Sequence, residues 1–279
     1  MRLAGFIIIT RPVNSFVAGL AAIIAYLIDT GTVIPESLLL FFIVALITAA
    51  GNVINDFFDA EIDAINRPDR PIPSGSVSRG AARGFAITLF LAGILGSFFT
   101  NPLCVGIAIF NVVLLIAYAA KLKSTPFIGN IVVAYLSASI FLFGGALNGF
   151  DGLVLIIPIA AITFFAMVSR ELLKDAEDVE GDRAGGADTL PIRIGIKKTS
   201  ELALITAILA VAASFIPYFW WGIWYLAGII VVDIIIIIAV LRALGCETPG
   251  CVKASNASNF LKAGMFASLV VFTLSAVFL

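Results

Sequence analysis

The stretch NDFFDAEID at residues 55–63 follows a long apolar run, and a second acidic stretch, KDAEDVEGD at residues 174–182, follows another. Each stretch places several carboxylates at the end of a segment that is apolar enough to cross a membrane. Carboxylates close to a bilayer repel one another and are costly to desolvate, so they call for a compensating cation. The sequence therefore predicts an all-α membrane protein in which two acidic clusters bind a divalent metal ion and a polyanion.

The composition is that of a membrane protein and excludes a soluble globular chain. Of the 279 residues, 61% are hydrophobic and only 13% are charged, and the mean hydropathy is +1.11. We predict nine transmembrane helices in one bundle, forming a single multi-pass domain over residues 1–279. The nine apolar runs are 12–29, 37–60, 84–100, 102–120, 127–147, 152–173, 199–217, 222–244 and 260–279.

The basic residues predict the orientation of these helices. With nine spans and a cytoplasmic N-terminus, all 17 Lys and Arg residues, from Arg2 to Lys262, fall on the cytoplasmic side. The opposite loops carry only the acids Asp29, Glu36 and Asp151. Since positively charged loops stay in the cytoplasm, we predict a multi-pass protein of the cell membrane whose N-terminus and active site are cytoplasmic.

Two polar stretches interrupt the apolar pattern, at residues 61–83 and 174–198. They accompany the two acidic clusters, which end the second and the sixth predicted helices, and the chain beyond each cluster is basic and contains Gly and Pro. This correspondence predicts an internal duplication in which helices 1–4 match helices 5–8. It also predicts that the two stretches are the cytoplasmic active-site loops.

The spacing of the first cluster places its oxygen-bearing side chains on one face of a helix. Because each residue advances by about 100°, Asn55, Asp56, Asp59 and Asp63 share one arc, while Glu61 points away. Oxygen ligands without His or Cys nearby suit Mg²⁺, which uses one or two carboxylates together with substrate phosphates. We therefore predict that these four residues are metal ligands.

The second cluster repeats this arrangement. Asp175, Asp178 and Asp182 span an arc of about 60°, which also contains Glu171, although Gly181 weakens the placement of Asp182. We predict these three aspartates as metal ligands as well. The alternative for both clusters is a pair of solvated helix ends, since acids are common in cytoplasmic loops.

Cations on the same side of the membrane favour a diphosphate ligand, because Arg and Lys hold phosphate oxygens that metal ions leave free. For each one alone, topology signalling is an equally good explanation. The segment INRPDRPIPSG at residues 65–75 differs, since three prolines stiffen a loop that holds two arginines. The candidate phosphate-binding residues near the clusters are Arg67, Arg70, Lys121, Lys123, Lys174 and Arg193.

Other residue types narrow the possible chemistry. The chain has no His, which excludes His-based acid–base catalysis and most transition-metal sites. Its three Cys residues fit no zinc pattern, and Cys246 and Cys251 are expected to be free thiols. Asp233 lies in the middle of an apolar span, where a functional and a structural role are equally plausible; Asn111 and Asn130 are similarly open.

The spacings N-D-x-x-D-x-x-x-D from Asn55 and D-x-x-D-x-x-x-D from Asp175 resemble the two signature motifs of the UbiA superfamily of intramembrane prenyltransferases. The resemblance implies Mg²⁺-dependent transfer of a prenyl group from a prenyl diphosphate to an acceptor. It implies that Asn55, Asp59 and Asp63 ligate one metal ion and Asp178 and Asp182 the other, with Asp175 assisting and Lys174 contacting the diphosphate. The predicted catalytic residues are Asp59, Asp63, Asp178, Asp182 and Tyr118, an aromatic at the cytoplasmic end of the fourth span whose alternative role is an interfacial anchor.

The loop at 65–75, RPVN at 11–14 and LPIRIG at 190–195 resemble the archaeal subgroup that acts on geranylgeranylglyceryl phosphate. That resemblance implies transfer of a geranylgeranyl group to the free glycerol hydroxyl of this lipid phosphate. Arg11, with Lys121 or Lys123, is the candidate for the acceptor's phosphate, and Asn14 belongs to the same predicted phosphate-binding set. The alternative is an aromatic quinone precursor or a tetrapyrrole as acceptor, although the Arg-Thr and Pro-Leu typical of 4-hydroxybenzoate enzymes are missing from this loop.

The predicted partners are thus a prenyl diphosphate, a lipid-phosphate acceptor and the lipid bilayer, with no nucleic acid. A secondary transporter is disfavoured, because its coupling groups would lie in mid-membrane rather than at one surface. A phosphatase acting on prenyl diphosphates would have a similar metal site and differs only in its products. The oligomeric state is left open.

Overall fold

The computed structural model describes residues 3–279, which contain helices and turns and no β-strand; Arg2 lies outside the described residues. The first helices are α1 (Leu3–Ile9), α2 (Pro12–Thr30), α3 (Pro35–Phe58), α4 (Ala60–Asn66), α5 (Arg79–Ser97), α6 (Pro102–Ala120) and α7 (Ile128–Ala146). The remaining helices are α8 (Gly149–Leu155), α9 (Ile157–Ala184), α10 (Leu190–Ile194), α11 (Ile196–Ser214), α12 (Tyr218–Leu244), α13 (Pro249–Ser255) and α14 (Ala257–Phe278).

Seven helical segments of the described chain are long and apolar enough to cross a membrane: α2, α3, α5, α6, α7, α12 and α13 together with α14. The pair α8 and α9, bent by 47°, makes an eighth. The all-α, multi-pass prediction is therefore confirmed, whereas the nine spans and the duplication are not. The difference is α11, the predicted seventh span, because its first turns carry Lys197, Lys198 and Glu201.

Local signals in the sequence explain where the helices begin. Proline occupies the first turn of α2, α3 and α6, where its missing N–H costs no hydrogen bond. The side chain of Ser78 accepts from the N–H of Ala81 at 3.2 Å and caps α5. Asn101 caps α6 in the same way, accepting from the N–H of Cys104 at 3.0 Å. The four residues 98–101 thus join α5 and α6 in a tight hairpin.

The chain divides into two compact units, with the boundary inside α7. The first unit comprises Met1–Lys121 and Ser139–Leu155, and in it α3 packs against α2, α5 and α6. The second unit comprises Leu122–Ala138 and Ile156–Leu279, and in it α9 packs against α10, α11, α13 and α14. Each unit therefore has one helix with many helical neighbours, α3 or α9, and these two helices carry or lead into the two acidic clusters.

The two predicted loops contain more helix than expected. In the first, a single residue, Asp59, separates α3 from α4, and helical hydrogen bonds continue across it. The N–H of Asp59 donates to the carbonyl of Asn55 at 2.9 Å, and the N–H of Asp63 donates to the carbonyl of Asp59 at 2.8 Å. In the second, α9 continues through Gly181 to Ala184. Both acidic clusters therefore have the helical spacing on which their prediction depends, and the irregular chain lies beyond them.

The expectation of free thiols at Cys246 and Cys251 is wrong, because the two residues form a disulfide. The turn between α12 and α13 brings their Cα atoms to 5.5 Å, a separation that suits this bond. Thr248 within that turn caps α13 by accepting from the N–H of Cys251 at 3.3 Å. Cys104 is a buried free thiol.

Asp233 of α12 is buried and hydrogen-bonded, which accords with the structural reading of this residue. The hydroxyl of Ser214 donates to Oδ2 of Asp233 at 2.7 Å. The phenol of Tyr225 donates to the backbone carbonyl of Ser214, also at 2.7 Å. The carboxyl group therefore ties α12 to the end of α11 within the second unit.

Glycine allows two helices of the first unit to approach closely. A Cβ atom at Gly144 of α7 would overlap the carbonyl oxygen of Ala22 and lie 2.5 Å from the Cβ of Ala25, both in α2. A Cβ atom at Gly106 of α6 would meet nothing within 4 Å. The two glycines therefore offer a matched test of this contact.

We expect Gly144→Ala to lower the stability of the protein by about 1–3 kcal/mol, because the added methyl forces the backbones of α2 and α7 apart. Gly106→Ala should leave stability unchanged or raise it slightly, since Ala favours a helix. Thermal unfolding of both variants in detergent measures the difference. Equal unfolding temperatures would show that α2 and α7 are not in close contact there.

Candidate active site

The first acidic cluster lies where α3 passes into α4. Asp59 is the single residue between the two helices, and the amide of Asn55 donates to Oδ2 of Asp59 at 3.0 Å. Asp56 and Asp63 are buried. Glu61 points away, as the spacing predicts: its side chain is 86% exposed and pairs with Arg79 at 2.9 Å. The structure thus separates the cluster into an inward face with four oxygen-bearing side chains and an outward one.

Two arginines neutralise the buried aspartates of this face. Nη1 of Arg70 lies 2.6 Å from Oδ2 of Asp63 and 3.3 Å from Oδ1 of Asp56. Nη2 of Arg11 lies 2.8 Å from the same Oδ1 of Asp56. Because an unpaired carboxylate in such a place would be costly, these contacts account for the burial of both acids.

The backbone brings these arginines to the cluster from distant parts of the chain. Arg11 directly precedes α2 and has a left-handed conformation, with φ of 48°. Arg70 lies in the proline-rich loop, which folds back on itself through the hydrogen bonds Ser74 N–H to Arg70 O at 2.9 Å and Val77 N–H to Pro71 O at 2.9 Å. The buried Val77 anchors that loop, so Arg70 is a placed side chain, as the prolines suggest.

The second acidic cluster lies on the last turns of α9. Asp175 accepts a hydrogen bond of 2.7 Å from the amide of Asn130 in α7, and Asn130 is buried. Asp182 is partly buried, whereas Asp178 and Lys174 are exposed. Asn130, which the sequence leaves open, is therefore the residue that positions Asp175.

One helical turn before Asp175, α9 carries a pair of charged residues. Arg170 and Glu171 form an ion pair, and their side chains are only 19% and 13% exposed. Nε of Arg170 is buried without a hydrogen-bond partner. The sequence places Glu171 on the arc of the aspartates but does not predict its pairing, because neighbours on a helix do not normally face each other.

Arg193 pairs with Asp188, which the sequence analysis does not single out. Nε of Arg193 donates to both carboxylate oxygens of Asp188 at 2.9 Å. These hydrogen bonds, together with the positive charge of Arg193, hold the pKa of the Asp188 carboxyl below its ordinary value. Both residues are solvent-accessible, so the pair orients Arg193 without removing it from solvent.

The other predicted residues lie at helix ends. Asn14 is exposed in the first turn of α2, and Arg67 is exposed at the end of α4. Tyr118 lies in the last turn of α6 and is partly buried, and Lys121 directly follows that helix. Lys123 lies in the short 3₁₀ turn Leu122–Ser124. The structure brings Arg11 and Arg70 into direct contact with the first cluster and places the other five residues at or next to helix ends.

The donor atoms of both clusters fit Mg²⁺. They are carboxylate and amide oxygens, which a hard cation prefers. Within residues 3–279, no three acidic or cysteine side chains converge into a group that could hold a metal ion by themselves. This arrangement suits a cation that takes one or two carboxylates and completes its shell with water and substrate phosphate.

Comparison with known proteins identifies the family. Residues 15–270 match the model of the UbiA prenyltransferase family. The chain belongs to this family. It is therefore an intramembrane prenyltransferase, and the two aspartate-rich stretches that suggested the resemblance lie within the matched region.

The UbiA relatives include one of the same length. The chain is 64% identical, over 279 residues and 100% of both chains, to a protein from Methanoregula boonei named digeranylgeranylglyceryl phosphate synthase. A solved structure described as giving insights into digeranylgeranylglyceryl phosphate synthase in membranes is 38% identical, with a TM-score of 0.85 over 99% of each chain. These similarities cover the whole chain.

A more distant UbiA structure shares the fold alone. It is a UbiA homologue from Archaeoglobus fulgidus, described as bound to GPP and Mg²⁺. The two chains are 16% identical and superpose with a TM-score of 0.61 over 95% of this chain and 99% of the other. The family fold is thus retained at low identity.

Proposed function

We propose that this protein transfers a geranylgeranyl group from geranylgeranyl diphosphate to the free glycerol hydroxyl of geranylgeranylglyceryl phosphate, which makes an archaeal diether lipid precursor. The observation that carries the proposal is the 64% identity, over both full lengths, to a protein named for this synthesis. The chain's own loop at residues 65–75 supports it, because this loop holds Arg70 in contact with two aspartates of the first motif. An aromatic or tetrapyrrole acceptor is the alternative.

Each motif holds a Mg²⁺ ion in this proposal. Asn55, Asp59 and Asp63 supply the ligands of the first ion. Asp178 and Asp182 supply those of the second, with Asp175 held in place by Asn130. When bound, Mg²⁺ neutralises the diphosphate as its negative charge grows and so favours cleavage of the allylic C–O bond.

Basic side chains hold the phosphate oxygens that the metal ions leave free. Arg67, Lys174 and Arg193 are exposed and stand at or near the motifs in the chain, so their charges are accessible to an incoming anion. Arg70 supports the first motif from the side of the protein. The remaining members of the proposed phosphate-binding set are Arg11, Asn14, Lys121 and Lys123.

The bond changes are those of an ether synthesis. The bond between the allylic carbon and the diphosphate oxygen breaks, and its electron pair leaves with the diphosphate. The glycerol oxygen then forms the new C–O bond and loses its proton to a carboxylate or to the diphosphate, since the chain contains no His. Tyr118, at the end of α6, presents an aromatic face that favours the developing positive charge. The apolar helices exclude water, which would otherwise capture the cation.

A product assay tests the acceptor. We expect purified protein with Mg²⁺, geranylgeranyl diphosphate and geranylgeranylglyceryl phosphate to form a diether phosphate, detected by mass spectrometry. EDTA should abolish the product, because without Mg²⁺ the carboxylates of the two motifs repel the negatively charged diphosphate. 4-Hydroxybenzoate offered in parallel should remain unmodified. A prenylated benzoate would overturn the acceptor, and geranylgeraniol or its monophosphate alone would indicate a phosphatase.

Aspartate substitutions test the metal ligands. We expect Asp59→Ala or Asp178→Ala to lower kcat at least a hundredfold while the protein still inserts and purifies, because each removes a ligand of one ion. Glu61→Ala and Glu180→Ala are the matched controls, since both acids lie in the same stretches and are exposed. These controls should retain activity. Full turnover by either aspartate variant would contradict the two-metal assignment.

We also propose that α11 crosses the membrane and so brings the number of spans to nine. Spans 1–4 and spans 5–8 are then an internal duplication, and the N-terminus and the active site are cytoplasmic. This topology is supported by the sequence, because it alone keeps all 17 basic residues on one side. It also places the disulfide between Cys246 and Cys251 on the cytoplasmic side, where such bonds are uncommon. With eight spans, the disulfide would lie outside and the C-terminus would be cytoplasmic.

Cysteine labelling in cells distinguishes these topologies. We expect a membrane-impermeant maleimide to label Asp151→Cys and Leu279→Cys in intact cells, and Glu180→Cys only after permeabilisation. Labelling of Leu279→Cys only after permeabilisation would support eight spans. Labelling of Glu180→Cys in intact cells would place the end of α9, and with it the second motif, on the outer side and so contradict the proposed orientation.

A further inference from the structure

Asp56 belongs by spacing to the predicted metal ligands, yet its contacts are of another kind. Its side chain is 6% exposed, and a single oxygen, Oδ1, accepts from Arg11 at 2.8 Å and from Arg70 at 3.3 Å. Both guanidinium nitrogens lie within 3.3 Å of that oxygen, so the two cationic groups are neighbours. Like charges repel at such a distance, and therefore one buried carboxylate holds them together.

The two arginines differ in what remains available to a ligand. Arg70 is 20% exposed and uses Nη1 for both Asp56 and Asp63. Arg11 is 37% exposed and is fixed through one nitrogen, Nη2. A guanidinium group has five N–H donors in a planar fork, so most donors of Arg11 remain directed elsewhere. Arg11 is thus a partly exposed cation whose position is set from the protein side.

We propose that Asp56 is a positioning residue that orients Arg11 to bind the phosphate of the acceptor lipid, and that it is not a metal ligand. Arg70 completes the arrangement, because it bridges Asp56 to Asp63 and so joins the phosphate-binding arginine to the first metal motif. This inference rests on the proposed function. It adds to that function a specific site for the acceptor's phosphate monoester at the junction of α1 and α2.

The charges of the cluster favour this role over metal ligation. Asp56, Asp63, Arg11 and Arg70 carry two negative and two positive charges, and Asp56 alone has two cationic partners. A cation approaching Oδ1 of Asp56 would meet both guanidinium groups. A phosphate approaching Arg11 would instead make charge-assisted hydrogen bonds with a group that is already oriented and has lost little rotamer freedom.

The test compares acceptors with and without the phosphate. We expect Arg11→Ala and Asp56→Asn each to raise the KM for geranylgeranylglyceryl phosphate about tenfold, the effect of losing a hydrogen bond to a charged group, with kcat largely retained. The KM for geranylgeranylglycerol, which lacks the phosphate, should be unchanged. The Mg²⁺ concentration for half-maximal activity should also be unchanged, because Arg70 still pairs with Asp63.

A double-mutant cycle shows whether Asp56 acts through Arg11. If it does, the double variant should have the KM of Arg11→Ala alone, since the anchor has nothing left to orient. Equilibrium binding of the phosphorylated acceptor without Mg²⁺ should show the same non-additivity. Arg79→Ala, which removes an exposed arginine–carboxylate pair in the same unit, is the control and should change neither KM.

Two results would overturn the proposal while leaving the reaction class intact. One is a shift of the Mg²⁺ requirement in Asp56→Asn that matches the shift in Asp59→Asn. The other is an equal rise in KM for both acceptors in Arg11→Ala. This variant is the safer test of the two, because Arg11 is more exposed than Asp56 and its substitution disturbs the buried interior less. Absence of diether product from the unmodified protein would instead contradict the proposed function itself.

Discussion

The burial of carboxylates at the end of apolar helices is the constraint on which the first half of the structure depends. Asp56 and Asp63 are almost fully buried, and each needs a cation in contact. Arg70 satisfies both, and it can do so only because the proline-rich loop folds back over the end of α3. Arg11 adds a second cation at the break between α1 and α2. The loop and the break therefore each bring a cation to the buried acids at the end of α3 and in α4.

The second acidic cluster meets the same constraint with a neutral group. Asp175 accepts from the amide of Asn130, and the charged pair of Arg170 and Glu171 lies one turn earlier on α9. An amide orients a carboxylate without bringing a positive charge to it, whereas Asp56 and Asp63 both contact a guanidinium group. That difference gives the two motifs distinct electrostatic surroundings, although their spacings in the sequence are alike.

Helical periodicity predicts the face of each acid but not its partner. The spacing correctly separates Glu61 from the other members of its cluster, because direction around a helix follows from residue number alone. It gives Asp56 and Asp59 the same status, whereas the structure ties Asp56 to two arginines that stand 45 and 14 residues away. Such contacts depend on how the loops fold back, and a single sequence contains no measure of that. The sequence does not predict the disulfide for the same reason, because the distance between Cys246 and Cys251 depends on the geometry of one turn.

For the membrane topology, the distribution of basic residues along the sequence is more informative than the apolar length of each helix. The helix α11 does not count as an apolar span, because its first turns carry the charged residues Lys197, Lys198 and Glu201. Charges at the end of a helix are tolerated where they reach the interface, and a basic end on the cytoplasmic side is what the positive-inside rule requires. The apolar residues of α11, from Leu202 to Ser214, are by themselves too few to cross about 30 Å at 1.5 Å per residue. The helix can cross only if its charged first turns enter the membrane while their side chains reach the interface. The basic residues that favour α11 as a span are instead Arg242, Lys253 and Lys262, which would lie on the outer side if α11 did not cross the membrane.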